Sequence, residues 1–376
     1  MIARWEIVPM GTICSIKNGK SNSVDAEESA PYAFFDRSKK IKRSSRYLYD
    51  CEALIIPGER AEFLPRHFVG KFDLHQRAYA LSNFTQAIDV KFLYYYLIHS
   101  KDYFPRVAVG ATVKSLRLRH FENLPVPTPP RPEQQRIVAI LDKAFAVIAT
   151  AKANTEKNLL NARDLFEACL RMTFGNHNGD WRHVTVGDHI HFIDYRGKTP
   201  KKTESSVRLI TAKNVKMGYL QANPKEFVAP STYKSWMTRG IPRKGDILFT
   251  TEAPLANVAQ LDTDEKVVFA QRIIIMQPDD RKLDRTFVKY LLLSPAVQDR
   301  IRAKGTGATV QGIKASLLRQ VEISFPDSLE KQRASAAELD ALRSETERLQ
   351  SAYSLRLAEL TGLKKSLLDL AFSGKL

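Results

Sequence analysis

The feature that most constrains this chain is an internal repeat: its second half passes through the same landmarks as its first half. The early landmarks are Trp5 and Gly11, matched by Trp181 and Gly187. Among the later ones, Gln76-Arg77 matches Gln271-Arg272, and FLYYYL at 92–97 matches FVKYLL at 287–292. GATV at 110–113 recurs at 307–310, and Glu133-x-Gln135-Arg136 matches Glu330-x-Gln332-Arg333. A duplicated chain carries two copies of whatever site its unit forms. Two related sites are what a two-part linear ligand requires.

Length and composition indicate a folded protein with two domains. The chain has 376 residues, of which 44% are hydrophobic and 26% charged, and each half is long enough to bury its own core. No apolar run approaches the roughly 20 residues that cross a bilayer, and the N-terminus lacks an apolar signal stretch, so we expect a cytoplasmic protein without membrane contact. Cys14, Cys51 and Cys169 are too scattered for zinc binding and are expected to be free thiols.

Positive charge is concentrated in two parts of the chain. The net charge is +17, and residues 1–130 carry +6 and residues 179–326 carry +9, whereas residues 131–178 carry +2 and residues 327–376 carry none. A basic excess favours a polyanionic partner, because neutralised phosphates supply most of the nonspecific affinity for nucleic acid. A charge that served solubility alone would have no reason to avoid the last segment.

The chain is predicted to alternate between mixed domains and helices, in four segments: 1–130, 131–178, 179–326 and 327–376. The first and third contain short β-type runs, such as Ala53 to Ile56 and Ile247 to Thr250, and a helix near Val90 to Ser100 or Thr286 to Leu293. A proline-rich stretch from Pro125 to Pro132 ends the first domain, because proline continues neither a helix nor a central strand.

The second and fourth segments have a heptad pattern. The predicted stripe of the second is Ile137, Leu141, Ala144, Ile148, Ala151, Thr155, Asn158, Ala162, Leu165, Cys169 and Met172. That of the fourth is Leu339, Leu342, Thr346, Leu349, Tyr353, Arg356, Leu360, Leu363, Leu367 and Leu370. Such a repeat specifies a seam against another helix. The alternative is that each helix packs only on its own domain; the matched lengths favour mutual packing.

Several segments of the chain follow one known order: LPVPTPPRPEQQRI at 124–137, GKTP at 197–200, ITAKNV at 210–215, GDIL at 245–248, GATV at 307–310 and LLDLAFSGKL at 367–376. With these segments the chain resembles the DNA-specificity subunit of type I restriction-modification systems. Two departures are a second junction with fewer prolines and a stretch at 20–58 that shares little with 198–245. The family interpretation of the second departure is that the two domains recognise different half-sites.

The resemblance implies a fold, a function and partners. The expected fold is α+β, with two pseudo-repeated target recognition domains separated by two long antiparallel coiled-coil helices. The expected function is recognition of a bipartite double-stranded DNA target by a subunit with no chemistry of its own. The implied partners are two adenine methyltransferase subunits and, through them, restriction subunits.

The catalytic motifs of such partners are missing from this sequence. It has no P-loop, and its one Pro-Pro, at Pro129-Pro130, lacks the flanking groups that hold a flipped adenine. No catalytic residue, metal ligand or cofactor is therefore predicted. Two other interpretations stay open at this stage: a nuclease or methyltransferase with both functions in one chain, and a coiled-coil adaptor that binds only proteins.

Basic residues in loops are the candidate DNA contacts. Arginine can bind guanine bidentately, whereas lysine mostly meets phosphates, and loops on a rigid scaffold are where recognition residues concentrate. The candidates are Lys17, Lys20, Lys39, Lys40, Lys42, Arg43, Arg60, Arg66 and Lys114 in the first domain, and Arg196, Lys198, Lys201, Lys202, Lys213, Arg272, Lys304 and Lys314 in the second. The loops at 110–114 and 307–311 hold the same place in both copies and are expected to approach DNA.

Overall fold

A computed structural model describes residues 5–59, 63–175, 181–195, 200–307 and 311–376. The chain divides into two compact units, Met1–Glu156 with Leu355–Leu376, and Lys157–Ser354. Each unit contains one mixed domain and part of each of two long helices. The α+β fold class with two related domains is therefore confirmed.

The first unit begins with a domain of short strands and helices. Its strands are β1 (Ile7–Pro9), β2 (Ser15–Asn18), β3 (Tyr32–Phe35), β4 (Lys42–Ser44), β5 (Tyr49–Pro57), β6 (Arg66–Leu74), β7 (Ala78–Ser82) and β8 (Pro125–Pro127). Its helices are α1 (Val90–His99), α2 (Tyr103–Val107) and α3 (Leu118–Glu122), and the long helix α4 (Arg131–Gly175) follows.

Six of these strands form one sheet in the order β2-β7-β5-β6-β3-β4, and β1 pairs separately with β8. Strands β3 and β6 are parallel, with Phe35 opposite Leu74. The apolar run in β5 is unbroken because both faces are buried. Leu54 and Ile56 lie in the core beneath α1, whereas Ala53 and Ile55 lie in a separate cluster on the other face.

The second unit repeats this plan. Its strands are β9 (Trp181–Thr185), β10 (Ile190–Asp194), β11 (Lys202–Thr203), β12 (Val207–Ile210), β13 (Glu226–Val228), β14 (Ile247–Thr250), β15 (Val258–Gln260), β16 (Val267–Phe269), β17 (Ile273–Pro278) and β18 (Glu322–Pro326). Its helices are α5 (Val186–His189), α6 (Pro230–Trp236), α7 (Arg285–Leu293), α8 (Pro295–Ala303) and α9 (Ala315–Arg319), followed by the long α10 (Leu329–Phe372).

The strands of the two domains correspond in order, except that β11 has no counterpart in the first domain. The second has sheets in the orders β10-β17-β14-β15 and β11-β13-β12-β16, so β15 and β16 together take the place of the long β6. The parallel pair recurs, with Ile210 opposite Phe269. One backbone bond after that pair also recurs: His75 N–H donates to Phe35 O at 2.9 Å, and Ala270 N–H donates to Ile210 O at 3.0 Å. The sequence repeat is therefore a repeat of structure.

The long helices pack antiparallel within each unit. In the first unit, Arg136 Nη2 donates to the Leu376 carbonyl at 2.7 Å, and Lys364 Nζ lies 4.7 Å from the centre of the Phe145 ring. In the second unit, the Arg343 guanidinium lies 5.9 Å from the centre of the Phe166 ring. The contacting numbers rise on one helix as they fall on the other, which is the signature of antiparallel packing.

A buried glutamine fastens the start of each long helix to its own domain. Gln134 Oε1 accepts from Asp89 N–H at 2.7 Å, and its Nε2 donates to the carbonyls of Ala87 and Pro129, both at 2.8 Å. Gln332 makes the same three bonds, to Asp284 N–H at 2.8 Å and to the carbonyls of Lys282 and Pro326 at 2.9 Å. Both side chains are fully buried. The sequence alignment pairs Gln135 with Gln332 and is wrong by one residue here, because the equivalent proline carbonyl lies five residues before Gln134 but six residues before Gln332.

The predicted heptad stripes are correct at some positions and wrong at others. Ile137, Leu141, Ile148, Thr155 and Ala162 are buried on α4, as are Leu339, Thr346 and Leu360 on α10. The exposed members of the predicted stripes are Asn158, Leu165, Met172, Arg356, Leu363 and Leu370. Near its end, α4 instead buries Leu170 and Phe174, and α10 buries Leu368 and Ala371, in the domain cores. The buried face rotates because the helix ends pack on a domain.

Candidate nucleic-acid interface

Most of the predicted basic residues lie on the surface of their domains. The exposed ones are Lys17, Lys20, Lys39, Lys40, Arg43, Lys114, Lys201, Lys202, Lys213, Arg272 and Lys314, and Lys42, Arg66 and Lys304 are half-buried. Arg60, Arg196 and Lys198 lie outside the described residues. The surface positions leave these charges able to meet a polyanion.

The turn between β3 and β4 collects several of the first domain's charges around Asp36. Lys42 Nζ lies 2.7 Å from Asp36 Oδ2, Ser38 donates to Asp36 Oδ1, and Arg66 donates to the Ser38 carbonyl. Burial raises the pKa of Asp36, but hydrogen bonds from Lys42 and Ser38 outweigh it and lower the pKa to about 2. The carboxylate therefore stays ionised and holds a basic turn in one conformation.

Glu59 forms a second anionic centre nearby. Its Oε1 accepts from Arg77 Nη1 at 2.7 Å and from Ser115 Oγ at 3.1 Å, and its Oε2 accepts from Arg37 Nη1 at 3.0 Å. The Glu59 side chain is only 11% exposed, whereas that of Arg77 is 53% exposed. Burial raises the pKa of Glu59, but these hydrogen bonds and the two arginine charges together lower it. A buried carboxylate thus holds an arginine at the surface.

The glycine loop at 110–114 is attached to the same place by its backbone. Val109 and Ser115 exchange two hydrogen bonds of 2.9 and 2.8 Å, which close the loop. Gly110 has φ +118°, and a Cβ there would collide with the Val113 carbonyl, so glycine is required. Leu116 N–H then donates to the Gly58 carbonyl, and Gly58 N–H donates to the Arg77 carbonyl, both at 2.7 Å.

We call the place where Glu59, Arg77 and residues 109–116 meet the Glu59 junction. The second domain has the same arrangement. Thr306 and Gly312 exchange two bonds of 2.8 Å, Ile313 N–H donates to Thr251 O at 2.9 Å, and Thr251 N–H donates to Arg272 O at 2.9 Å. Arg272 Nε lies 2.9 Å from Glu252 Oε1. The place where Glu252, Arg272, Thr306, Gly312 and Ile313 meet is the Glu252 junction. Residues 308–310 of the predicted loop lie outside the described residues.

The structure brings some of the predicted residues together and leaves others apart. Lys114 lies in the loop of the Glu59 junction, and Lys304 and Lys314 flank the loop of the Glu252 junction. Lys17 on β2 and Arg43 on β4 are instead at opposite edges of one sheet. In the second domain, Lys202 on the edge strand β11 pairs with Glu226 at 2.9 Å.

Sequence reasoning missed four residues of the two junctions: Arg37, Glu59, Arg77 and Glu252. The signal for Arg77 was available, because Gln76-Arg77 repeats as Gln271-Arg272. The glutamates gave no such signal, since their neighbours differ and only the fold brings them beside the arginines. Among the residues that the structure describes, no group of His, Cys, Asp and Glu is arranged to hold a metal ion. A search of the same residues finds no helix that could cross a membrane.

The fold defines a class of duplicated protein: two related domains, each followed by a long helix and each carrying one copy of the same junction. Residues 3–161 and 178–353 match the family described as type I restriction modification DNA specificity domain. The chain belongs to this family. It is a non-catalytic specificity subunit that acts on DNA as part of a restriction-modification complex.

Comparisons with individual proteins agree with this assignment. The chain is 24% identical to the type I restriction enzyme MjaVIII specificity subunit of Methanocaldococcus jannaschii, over 99% of this chain and 93% of the relative. It is 25% identical to the type I restriction enzyme EcoDI specificity subunit of Escherichia coli, over 41% of this chain and 34% of the relative. A solved structure from work on complex assembly and conformational transition of the type I R-M system superposes with a TM-score of 0.73 at 19% identity, covering 100% of this chain and 99% of that one. This last likeness concerns the fold.

Proposed function

We propose that this protein reads a split DNA target, one half with each domain, and directs two adenine methyltransferase subunits to it. Restriction subunits would join through the methyltransferase subunits, and the complex would work in the cytoplasm. The proposed recognition domains are residues 1–130 and 179–326, and the proposed spacer segments are residues 131–178 and 327–376. The basic residues predicted from the sequence, with the two junctions, are the proposed DNA contacts.

The observation that carries this proposal is the repetition of one junction on two domains whose other loops differ. The connection from β3 to β4 spans residues 36–41, whereas the one from β12 to β13 spans residues 211–225. Two domains with the same scaffold and different loops are suited to recognise two different half-sites, because loops on a rigid scaffold supply specificity. A single contiguous target would not require two such domains.

The long helices are the proposed docking surfaces for the methyltransferase subunits. They carry almost no net charge, which makes them poor candidates for DNA contacts. Each unit also exposes large aliphatic side chains on its helices, with Val147 64% and Leu355 62% exposed in the first and Leu160 56% exposed in the second. In this proposal the methyltransferase subunits cover these side chains.

The first experiment is reconstitution. The purified protein alone should transfer no methyl group from S-adenosylmethionine to DNA, and addition of a cognate methyltransferase subunit should yield methylated adenines at one split motif. Methylation by the protein alone would contradict the proposal and favour the single-chain enzyme. Sequencing of methylated adenines gives the motif directly, and the methyltransferase subunit alone is the control.

The second experiment exchanges one domain. Replacing residues 1–130 with the corresponding domain of a relative should change one half of the methylated motif and leave the other half as it was. The reciprocal exchange of residues 179–326 is the matched control and should change the other half. If one exchange altered both halves, the assignment of one domain to one half-site would be wrong.

A further inference from the structure

The two domains differ in most of their surface, yet one arginine and its partner recur at the same place. Arg77 follows β6, and its carbonyl accepts from Gly58 N–H at the end of β5. Arg272 follows β16, and its carbonyl accepts from Thr251 N–H at the end of β14. Each arginine also pairs with the glutamate that follows this donor in sequence. The distance is 2.7 Å from Arg77 to Glu59 and 2.9 Å from Arg272 to Glu252. What these arginines contact on DNA is inferred from this recurrence, and it rests on the proposed function.

The recurrence is specific to this arginine. Arg37 also pairs with Glu59, but the register of the parallel strands places Ala212 at its position in the second domain. Ala212 is buried and has no charge to offer. Of the two arginines on Glu59, therefore, only Arg77 has a counterpart.

Both repeated arginines are open to a ligand. The side chain of Arg77 is 53% exposed and that of Arg272 is 45% exposed. The glutamate contacts Nη1 of Arg77 and Nε of Arg272, and about half of each arginine side chain stays exposed. Arg272 also has φ +77°, a left-handed conformation that is uncommon for a residue with a side chain and that recurs at functional sites.

Two half-sites of a split target differ in their bases but share the sugar-phosphate backbone. A residue that contacts bases is free to differ between the domains, whereas a residue that contacts phosphate faces the same ligand in both. Guanidinium groups bind phosphate through two parallel hydrogen bonds, and a neighbouring carboxylate fixes their orientation before binding.

We propose that Arg77 and Arg272 are a matched pair of backbone phosphate contacts, one in each domain, positioned by Glu59 and Glu252. Lys114 and Gln311, close in sequence to the two junctions, are exposed. The arginines would thus set the register of each domain on the duplex, and the domain-specific loops would read the bases.

The test measures the salt dependence of DNA binding by the full-length protein in complex with its methyltransferase subunits. Affinity is determined between about 50 and 300 mM salt, on one duplex with the methylated motif and one without it. Each lost phosphate contact should lower the slope of log K against log salt by about 0.9. Arg272→Gln should therefore lower the slope by about 0.9, and the double variant with Arg77→Gln by about 1.8, with both duplexes weakened alike and the methylated motif unchanged.

The controls separate a phosphate contact from a structural ion pair. Arg272→Lys keeps the charge and should keep the slope. Arg281→Gln removes an exposed arginine of the same domain that pairs with Asp279 at 3.0 Å, and it should leave the slope unchanged. Positioning by the glutamate predicts that Arg272→Gln weakens binding less in a Glu252→Gln background than in the original protein.

Three results would overturn the inference. The first is an unchanged slope in both arginine variants, and the second is a methylated motif altered in one half, which would make the arginine a base contact. The third is an effect of Arg272→Gln of the same size with and without Glu252, which would remove the positioning role. All three presuppose a complex that methylates a split motif; if the unmodified complex does not, the proposed function fails instead.

Discussion

Replacing the buried glutamine at the start of a long helix should destabilise that helix's attachment to its domain. In Gln332→Ala, the Asp284 N–H and the carbonyls of Lys282 and Pro326 all lose their partner. A buried polar group left unsatisfied costs about 1–3 kcal/mol, and water can reach some of these groups once the side chain is gone. We therefore expect a loss of roughly 3–5 kcal/mol from this one site.

The chain supplies a matched control for this prediction. Gln134→Ala should cost as much in the first unit as Gln332→Ala does in the second, because the three bonds are the same. Gln135 has the same side chain on the next position of the same helix but is exposed, so Gln135→Ala should change stability by less than about 0.5 kcal/mol.

Hydrogen exchange followed by mass spectrometry is the suitable assay, since two units need not unfold together. Gln332→Ala should raise exchange at the start of α7, where Asp284 caps the helix by accepting from Phe287 N–H. Gln134→Ala should do so at the start of α1. Denaturant unfolding gives the magnitude. The reasoning is refuted if Gln134→Ala and Gln135→Ala are indistinguishable in both measurements.

Three further predictions concern charges and a glycine. Asp340→Ala should cost about 1–3 kcal/mol, because it leaves the buried Lys289 without the half-exposed carboxylate 2.9 Å away. Asp142→Ala should cost less in denaturant unfolding, because its partner Lys91 is half exposed. Asp36, with a pKa lowered to about 2, contributes stability that is complete above about pH 4 and is lost as pH falls towards 2; Asp36→Asn should flatten thermal stability over that interval. Gly110→Ala should cost about 1–2 kcal/mol and weaken DNA binding, because φ is +118° and the Cβ meets the Val113 carbonyl, whereas Gly362→Ala in open space on α10 should be neutral or slightly stabilising.

Local patterns in the sequence predicted the strands and helices of each domain well. The run at Ile247–Thr250 is a strand with those bounds, and the helix expected from Thr286 to Leu293 begins one residue earlier, at Arg285. These segments are predictable because burial on a sheet or under a helix imposes its period directly on the residues. Because the chain is duplicated, a strand or helix predicted in one half also predicts its counterpart in the other half.

The sites where prediction failed depend on contacts between distant residues. The burial of Leu170 in place of Leu165 follows from the packing of α4 on a domain, which a heptad pattern does not encode. The pairing of Gln134 with Gln332 follows from one additional residue between Pro326 and Gln332, compared with Pro129 and Gln134. It shifts the helix register although the EQQR and EKQR motifs look alike. Glu59 and Glu252 are recognisable only once strand ends and loops have been brought together.

A second repeated contact shows that the duplication preserves interactions more strictly than residues. Tyr95 and Tyr290 occupy equivalent places and donate to Asp142 and Asp340 on the long helices. The lysine that joins each pair does not correspond: Lys91 lies one turn before its tyrosine, whereas Lys289 directly precedes it.

In both domains a lysine and a tyrosine thus hold the aspartate of the long helix, although the lysines come from different positions. This is expected where the attachment of helix to domain matters more than the position of one residue. The connection after β3, by contrast, differs from the connection after β12. In the first domain Asp36 contacts Lys42 and Ser38. In the second domain Asn214 accepts from Thr211 and donates to the carbonyls of Gln221 and Pro224. Under the proposed function, two unlike turns at the same place of the repeated fold, together with junctions that are alike, let one scaffold read two unlike half-sites.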